Sequence, residues 1–300
     1  RTIPKAADHG SRAPMKHHSY TMAKCTDIST KVLGTYRFIA FAAGIGNTFF
    51  MDWQTQQLSD LPNAIELLLP GHTKIVSQSW GITILLFALL ATASLSFSPV
   101  ERRAVCRSFA PTFGTASCLF WRESLIPWAE QDANVPLGLS LLFACLCGAM
   151  TWASLEEVPP EGNATAIRTT AKITPAKAFL SRVFYVQAAL SISVGLLMVF
   201  LPSAFSAFES SPENQQPSPP EAFAIRCWGS FLLGVGALCS QHKAFATDSQ
   251  VVVGLSLILQ FLGLTCLYLC EWDQLTYSYR IGSIPIFMPA ATLWMVAIGR

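Results

Sequence analysis

Long apolar segments recur along this chain, and they constrain its fold more than any other feature. A helix needs about 20 mostly apolar residues to cross the hydrocarbon core of a bilayer, and a helix satisfies its own backbone there. Eight segments meet or approach this length: Tyr36–Trp53, Ile75–Phe97, Ala104–Trp121, Val135–Leu155, Ala178–Phe205, Ala222–Ser240, Val251–Cys270 and Ile284–Gly299. The sequence therefore predicts an all-α, polytopic membrane protein with about eight transmembrane helices.

The remaining sequence is polar or too short to span a bilayer. The third segment is the weakest, since it contains Arg107 and Pro111, and Leu61–Leu69 suits a short interfacial helix. A Pro-, Ser- and Gln-rich loop, Ser210–Glu221, is expected to lie in water. The predicted organisation is a basic polar tail at 1–34, a four-helix membrane unit at 35–155, a polar linker at 156–177 and a second four-helix unit at 178–300.

The two halves of the chain share an internal repeat. A shift of 148 residues aligns Trp80-Gly81 with Trp228-Gly229. The same shift aligns Leu85 with Leu233, Leu90 with Leu238, Val105 with Val253, Ser108 with Ser256, Phe113 with Phe261 and Cys118 with Cys266. A shift of 149 residues aligns Pro136 with Pro285, and a shift of 145 residues aligns Arg37 with Arg182. Because each unit has an even number of spans, the sequence predicts two tandem repeats of parallel orientation.

Charge patterning predicts the orientation of these spans. With eight spans, the side that bears both termini carries sixteen of the twenty Lys and Arg residues and seven of the eighteen acids. Cytoplasmic loops of membrane proteins are enriched in Lys and Arg. The termini are therefore expected in the cytosol, matrix or stroma. The first thirty-odd residues are basic and rich in Ser, Thr and Ala, so we interpret them either as the remainder of a processed organellar precursor or as a solvated tail.

Four polar residues in or beside the spans are candidate cofactor ligands. Asn47, Gln187 and Gln260 lie inside predicted spans, where an amide usually forms a hydrogen bond across a helix interface. An amide oxygen also suits magnesium, so these side chains are candidate ligands of a chlorophyll, directly or through water. His242 lies at a helix end, from which it could bind a pigment or titrate.

Three arginines within or beside the apolar segments are candidate lipid or partner contacts. Arg37, Arg182 and Arg226 each lie near a predicted helix end, so their guanidinium groups can reach the headgroups. A charge inside a membrane is otherwise costly and often functional, which makes Arg107 of the third segment a further candidate. Arg226 aligns with the neutral Gln78 of the first half. We therefore expect Arg226 to contact a lipid phosphate or a partner's carboxylate.

Patterns of catalysis and nucleic-acid binding are missing from the sequence. The predicted spans contain no pair of carboxylates for acid–base chemistry and no pair of histidines at metal-ligand spacing. No Gly-rich phosphate loop or nucleophile elbow occurs. The net charge is only +2, which does not indicate a nucleic-acid partner. The sequence therefore predicts neither an enzyme nor a metal site.

One stretch of the second half resembles a group of small membrane proteins. The residues Arg226-Cys-Trp-Gly-Ser-Phe-Leu-Leu-Gly234 place an arginine before a helix rich in small residues. This stretch and the hydropathy pattern resemble four-span membrane proteins of the uncharacterised and sterol-scaffold-like sort. The resemblance implies a scaffold-like role without catalysis. Gln78 departs from it in the first half.

These observations favour an accessory subunit of a membrane complex in an energy-converting organelle. The first expectation is a photosystem–light-harvesting supercomplex in the thylakoid membrane, with stromal termini, chlorophyll or carotenoid as cofactor, and membrane subunits and lipids as partners. The alternative compartments are the mitochondrial inner membrane and the endoplasmic reticulum.

Two other functions remain open, and each predicts a different interior. A transporter or channel predicts a water-accessible polar cavity between the repeats, near Gln187, Arg226 and Gln260. A lipid- or sterol-handling scaffold predicts a lateral groove. An accessory subunit predicts a dry core between the repeats and one flank covered by partners.

Overall fold

Helices form all of the regular structure that can be described. The computed structural model of the chain describes residues 27–50, 71–125, 134–156, 175–206, 217–272 and 284–299. Its α-helices are α1 (Ile28–Phe49), α2 (Gly71–Ser94), α3 (Pro99–Leu125), α4 (Asn134–Leu155), α5 (Pro175–Phe200), α6 (Pro202–Ser206), α7 (Pro219–Ser240), α8 (Thr247–Cys270) and α9 (Ile284–Ile298). A 3₁₀ turn, His242–Ala244, joins α7 to α8. The all-α prediction is confirmed within these ranges, which contain no strand.

Five of these helices are long and apolar enough to cross a membrane, namely α2, α4, α5, α7 and α8. The apolar part of α9, Ile286–Ile298, is shorter. Helix α3 has 27 residues but carries three arginines in its first half, Arg102, Arg103 and Arg107. The five long apolar helices indicate an integral membrane protein.

Capping side chains explain why several helices begin earlier than the apolar segments. Ser98 and Glu101 form a capping box at the start of α3: the Ser98 N–H donates to Glu101 Oε2 at 2.8 Å, and the Glu101 N–H donates to Ser98 Oγ at 3.4 Å. The Ser218 hydroxyl caps α7 by accepting from the Glu221 N–H. These caps extend the helices into polar sequence.

Helix α1 begins at Ile28 rather than at Tyr36, where the first span was predicted. The Asp27 carboxylate accepts from the Ser29 N–H at 3.1 Å, and Glu156 accepts from the Ile28 N–H at 3.1 Å. Two carboxylates thus satisfy N–H groups that a helix start leaves without partners. The last residues of the predicted tail, 27–34, therefore include the start of α1.

Proline positions give two further differences from the predicted spans. Helix α5 ends at Phe200 rather than at Phe205, since Pro202 has no N–H to continue the hydrogen-bond ladder and instead starts the short α6. Pro111, which weakened the third predicted span, lies inside an uninterrupted α3. The interfacial helix predicted at Leu61–Leu69, residues 157–174 of the predicted linker and the predicted loop up to residue 216 lie outside the described residues. The last residues of the predicted linker, 175–177, form the first turn of α5 instead.

The helices pack as adjacent pairs that meet in the middle of the bundle. Helix α1 packs on α2, α3 on α4, α5 on α7, and α8 on α9. The first four helices contact the rest chiefly through α2 and α3, which pack on α7, while α2 also packs on α8. Aromatic side chains fill the central region: Phe87, Phe109, Phe113 and Phe231 are all buried. Helix α4 lies at the periphery, with few of its side chains buried.

Candidate functional site

Gln260 takes part in a hydrogen-bonded hub at the centre of the bundle. Its amide is buried and donates to Thr83 Oγ1 at 3.1 Å. The Trp228 indole N–H donates to the same oxygen at 3.1 Å, and the Thr83 hydroxyl donates to the Ser79 carbonyl at 3.0 Å. Thr83 therefore ties α2 to α7 and α8. Sequence reasoning missed Thr83, whose only signal is a hydroxyl inside an apolar segment.

Gln187 and Asn47 lie apart from this hub. The Gln187 amide donates to Ser191 Oγ at 2.8 Å, and its carbonyl oxygen accepts from the Trp294 indole at 3.4 Å, which links α5 to α9. The Asn47 side chain is half-buried near the end of α1. Gln187 and Gln260 thus form hydrogen bonds within or between helices. Pigment ligation by Asn47, Gln187 or Gln260 stays a prediction.

His242 is fully buried at the α7–α8 connection. Its Nδ1 lies 3.0 Å from the Cys239 carbonyl, which only accepts, so Nδ1 carries the proton; Nε2 then accepts from the Ser181 hydroxyl at 2.8 Å. Phe184 stacks on the ring at 5.3 Å between centroids. Burial lowers the pKa of His242, which favours the neutral ring. A pigment bound to Nε2 would have to displace Ser181.

The three predicted arginines lie in separate environments. The half-buried Arg37 guanidinium lies 4.5 Å from the Phe38 ring centroid, and its Nε has no hydrogen-bond partner in the described part of the chain. Arg182 is exposed on α5. Arg226 is half-buried on α7, within electrostatic range of Arg122 and Glu123. Gln187 and Gln260 form their hydrogen bonds in the described ranges with Ser191, Trp294 and Thr83, and not with these arginines.

A polar network joins several helix ends at one side of the bundle, called here the network end. Arg102 pairs with Asp27 at 2.9 Å, and Glu101 accepts from the Ala246 N–H. Burial alone would raise the pKa of Asp27, but hydrogen bonds with Glu156, Ser29 and Arg102 lower it to about 2. The hydrogen bond to Asp27 raises the pKa of Glu156. The network thus fixes the start of α1 against α3 and the end of α4.

A cleft of about 330 Å³ opens beside this network, between α3, the end of α4 and the α7–α8 connection. Its lining residues are Val100, Arg103, Ala104, Arg107, Ser154, Leu155, Glu156, Gln241 and Ala244. The Nε of Arg103 is buried and has no hydrogen-bond partner in the described part of the chain. Sequence reasoning gave Arg107 as a candidate functional charge inside the third span and missed Arg103.

Comparisons with known proteins return no relative of this chain. No family model, curated protein or solved structure matches it. The likeness of residues 226–234 to scaffold-like membrane proteins therefore stays an expectation, and function has to be argued from the geometry.

Proposed function

We propose that this chain is a non-catalytic structural subunit of a membrane complex, built from eight spans in two parallel four-helix repeats. The observation that carries the proposal is the filled interface between the halves. Phe231 of the second half meets two rings of the first half edge-on, Phe87 at 5.2 Å and Phe113 at 6.3 Å between ring centroids. A transport path through this interface would require water where these rings pack. A filled, aromatic interface instead suits a rigid scaffold.

The pairing of the helices supports the repeat. Exchanging α1 with α5, α2 with α7, α3 with α8 and α4 with α9 converts each of the most extensive helix pairs into another pair that also packs. Thus α1–α2 corresponds to α5–α7, α3–α4 to α8–α9, and α3–α7 to α8–α2, while α2–α7 corresponds to itself. A twofold relation between two parallel units predicts this pattern.

Two glycines of the aligned motif support the same relation. A Cβ on Gly81 would lie 2.8 Å from the Thr48 backbone nitrogen of α1, and a Cβ on Gly229 would lie 2.9 Å from the Gly195 carbonyl of α5. The two positions are 148 residues apart and follow the two aligned tryptophans. Each glycine lets the second helix of its half approach the first closely, a common device in membrane helix packing.

Helix α4 supplies the flank on which partner helices would pack. Its exposed side chains include Leu141, Leu142, Trp152 and Leu155. Helix α9, its counterpart in the proposed repeat, also exposes large side chains such as Met295. The photosystem, the thylakoid and the pigments stay predictions from the sequence, as does the position of both termini on the cytosolic, matrix or stromal side.

Native electrophoresis of the source membranes in a mild detergent tests the subunit proposal, with mass spectrometry and absorbance on the band. Co-migration with other membrane proteins is expected, and a Trp152→Ala variant should weaken it more than the matched Met295→Ala variant on α9. Migration of the wild-type chain alone would refute the proposal. Labelling of the 210–221 loop on the same side as the termini would refute the eight-span repeat.

A further inference from the structure

We propose that the cleft at the network end binds a phosphate group, as a phosphate monoester or diester, through Arg103 and Arg107. This inference is independent of the proposed structural role, since it rests on a separate set of residues. The cleft lies at the proposed cytosolic, matrix or stromal side, where both a lipid headgroup and a soluble phosphate ester could reach it.

The two arginines face the cleft from one helix. Arg103 and Arg107 are one turn apart on α3, so their side chains lie on the same face. Gln241 borders the cleft from the α7–α8 connection, and its amide donates to Ser108 Oγ at 3.0 Å. Leu155 adds an apolar wall from the end of α4. The cleft therefore combines two fixed positive charges with an apolar side.

The carboxylates near this cleft already have other partners. Asp27 pairs with Arg102 at 2.9 Å. Glu101 accepts from the Ser98 and Ala246 N–H groups. Glu156 also lines the cleft, but its carboxylate accepts from the Ile28 N–H at 3.1 Å and interacts with Asp27.

No described acid therefore pairs with Arg103 or Arg107. The Nε of Arg103 is buried without a hydrogen-bond partner among the described residues. A buried guanidinium N–H without an acceptor is costly, and a bound anion would remove this cost. A negatively charged group that accepts hydrogen bonds would therefore satisfy the arginines at the network end.

A phosphate group meets this need better than other anions that reach a membrane surface. Its tetrahedral oxygens accept several hydrogen bonds at once, and the planar guanidinium group binds such oxygens in a bidentate way. The volume of about 330 Å³ leaves space beside the phosphate for a glycerol or sugar moiety. The wall that contains Leu155 would contact the first part of an acyl chain if the ligand is a lipid.

Native mass spectrometry of the purified full chain in a neutral detergent tests the proposal. The probes are dioctanoyl phosphatidylglycerol, inorganic phosphate and dioctanoylglycerol, which has the same acyl chains without the phosphate. We expect saturable binding of one phosphatidylglycerol and none of dioctanoylglycerol. Displacement of the lipid by millimolar inorganic phosphate would indicate a soluble phosphate ester as ligand, and its failure to displace would indicate a lipid headgroup. Either result supports a phosphate site.

Variants tie the binding to the cleft. Arg103→Gln/Arg107→Gln should weaken phosphatidylglycerol binding by about tenfold or more, since charge-assisted hydrogen bonds are lost. Arg107→Gln alone, at an exposed position that folding tolerates, should weaken it by about threefold or more. Arg182→Gln removes an exposed arginine of α5 and should have little effect. The proposal would be overturned if Arg182→Gln weakened phosphatidylglycerol binding as much as the double variant does, or if dioctanoylglycerol bound as tightly as phosphatidylglycerol. It would also be overturned if Arg107→Gln and the double variant bound phosphatidylglycerol as tightly as the wild-type chain.

Discussion

Helices α2 and α7 carry the same Trp-Gly pair at the centre of the bundle, yet their tryptophans have different hydrogen bonding. The Trp228 indole donates to Thr83 on α2 at 3.1 Å. The Trp80 indole N–H is buried and has no acceptor among the described residues. At the position aligned with Thr83 stands Phe231, whose ring meets that of Trp80 edge-on at 6.1 Å. Both helices thus approach a neighbouring helix closely at the glycine of the pair. The hydrogen-bonded hub, in contrast, forms only around Thr83 of α2 among the described residues.

The largest effects are expected where the two helices are alike. Gly81→Ala and Gly229→Ala would each bring a Cβ within 3.0 Å of backbone atoms of the neighbouring helix. Because helix backbones cannot yield as a flexible side chain does, each variant should lose about 1–3 kcal/mol of stability. Unfolding in mixed micelles of increasing SDS content measures the loss.

Gly148→Ala on α4 is the matched control for both glycine variants. Among the described residues, no neighbouring atom outside the backbone of α4 lies within 4 Å of a Cβ placed there, so alanine should stabilise the helix by about 0.5–1 kcal/mol. If only one of the two central glycines proved sensitive, the proposed equivalence of α2 and α7 would be lost. If the control were as damaging as they are, close packing would not be the cause.

Thr83→Val tests where the two helices differ. The substitution keeps the shape of the side chain but removes the acceptor that Trp228 and Gln260 share. Two buried donors would lose their partner, which should cost about 1–2 kcal/mol in a membrane protein. The change in unfolding free energy in mixed micelles is the measurement.

Thr112→Val offers a control for the hub, since residue 112 aligns with Gln260. The Thr112 hydroxyl is buried and has no hydrogen-bond partner within the described ranges. Removal of an unsatisfied buried hydroxyl should be neutral or stabilising. A similar loss of stability in Thr83→Val and Thr112→Val would mean that the hydrogen bonds to Thr83 do not stabilise the protein.

The tryptophans allow a direct comparison of the same substitution in the two helices. Trp228→Phe and Trp80→Phe remove similar volumes, but only the first breaks a hydrogen bond to Thr83. We expect Trp228→Phe to cost about 0.5–1 kcal/mol more than Trp80→Phe. Thermal unfolding followed by circular dichroism can resolve this difference, and an equal cost would contradict the asymmetry of the two helices.

Local features of this chain were predictable from its sequence, and long-range hydrogen bonds were not. Apolar length located the helices because it is a property of each segment alone. The third span was predicted to begin at Ala104, and the capping-box spacing of Ser98 and Glu101 is the local signal that would have placed the start of α3 earlier. In contrast, Thr83 meets Trp228 and Gln260 across 145 and 177 residues of sequence. No local pattern reports such contacts, nor that the buried N–H of Arg103 has no acceptor among the residues that the structure describes.

The smallest predicted effect concerns the ends of the same two helices. His242 follows α7, whereas the aligned residue of α2 is Ser94, which does not titrate. Burial lowers the pKa of His242 below its usual 6.5, so the folded protein favours the neutral ring. Its contribution to stability is therefore present above pH 6.5 and decreases as the pH falls from 6.5 towards the lowered pKa. Protonation would also take away the lone pair of Nε2 that accepts from Ser181.

His242→Gln should therefore show a smaller loss of thermal stability between pH 7 and pH 5 than the wild-type chain. The comparison uses the change with pH and not the absolute stability, because glutamine loses the stacking on Phe184 at every pH. Ser94→Ala at the end of α2 removes only a hydroxyl that donates to the Ala91 carbonyl at 2.8 Å, so its pH dependence should equal that of wild type. Equal pH dependence in all three chains would show that α7 has no titrating end, and α2 and α7 would then differ only at the Thr83 hub.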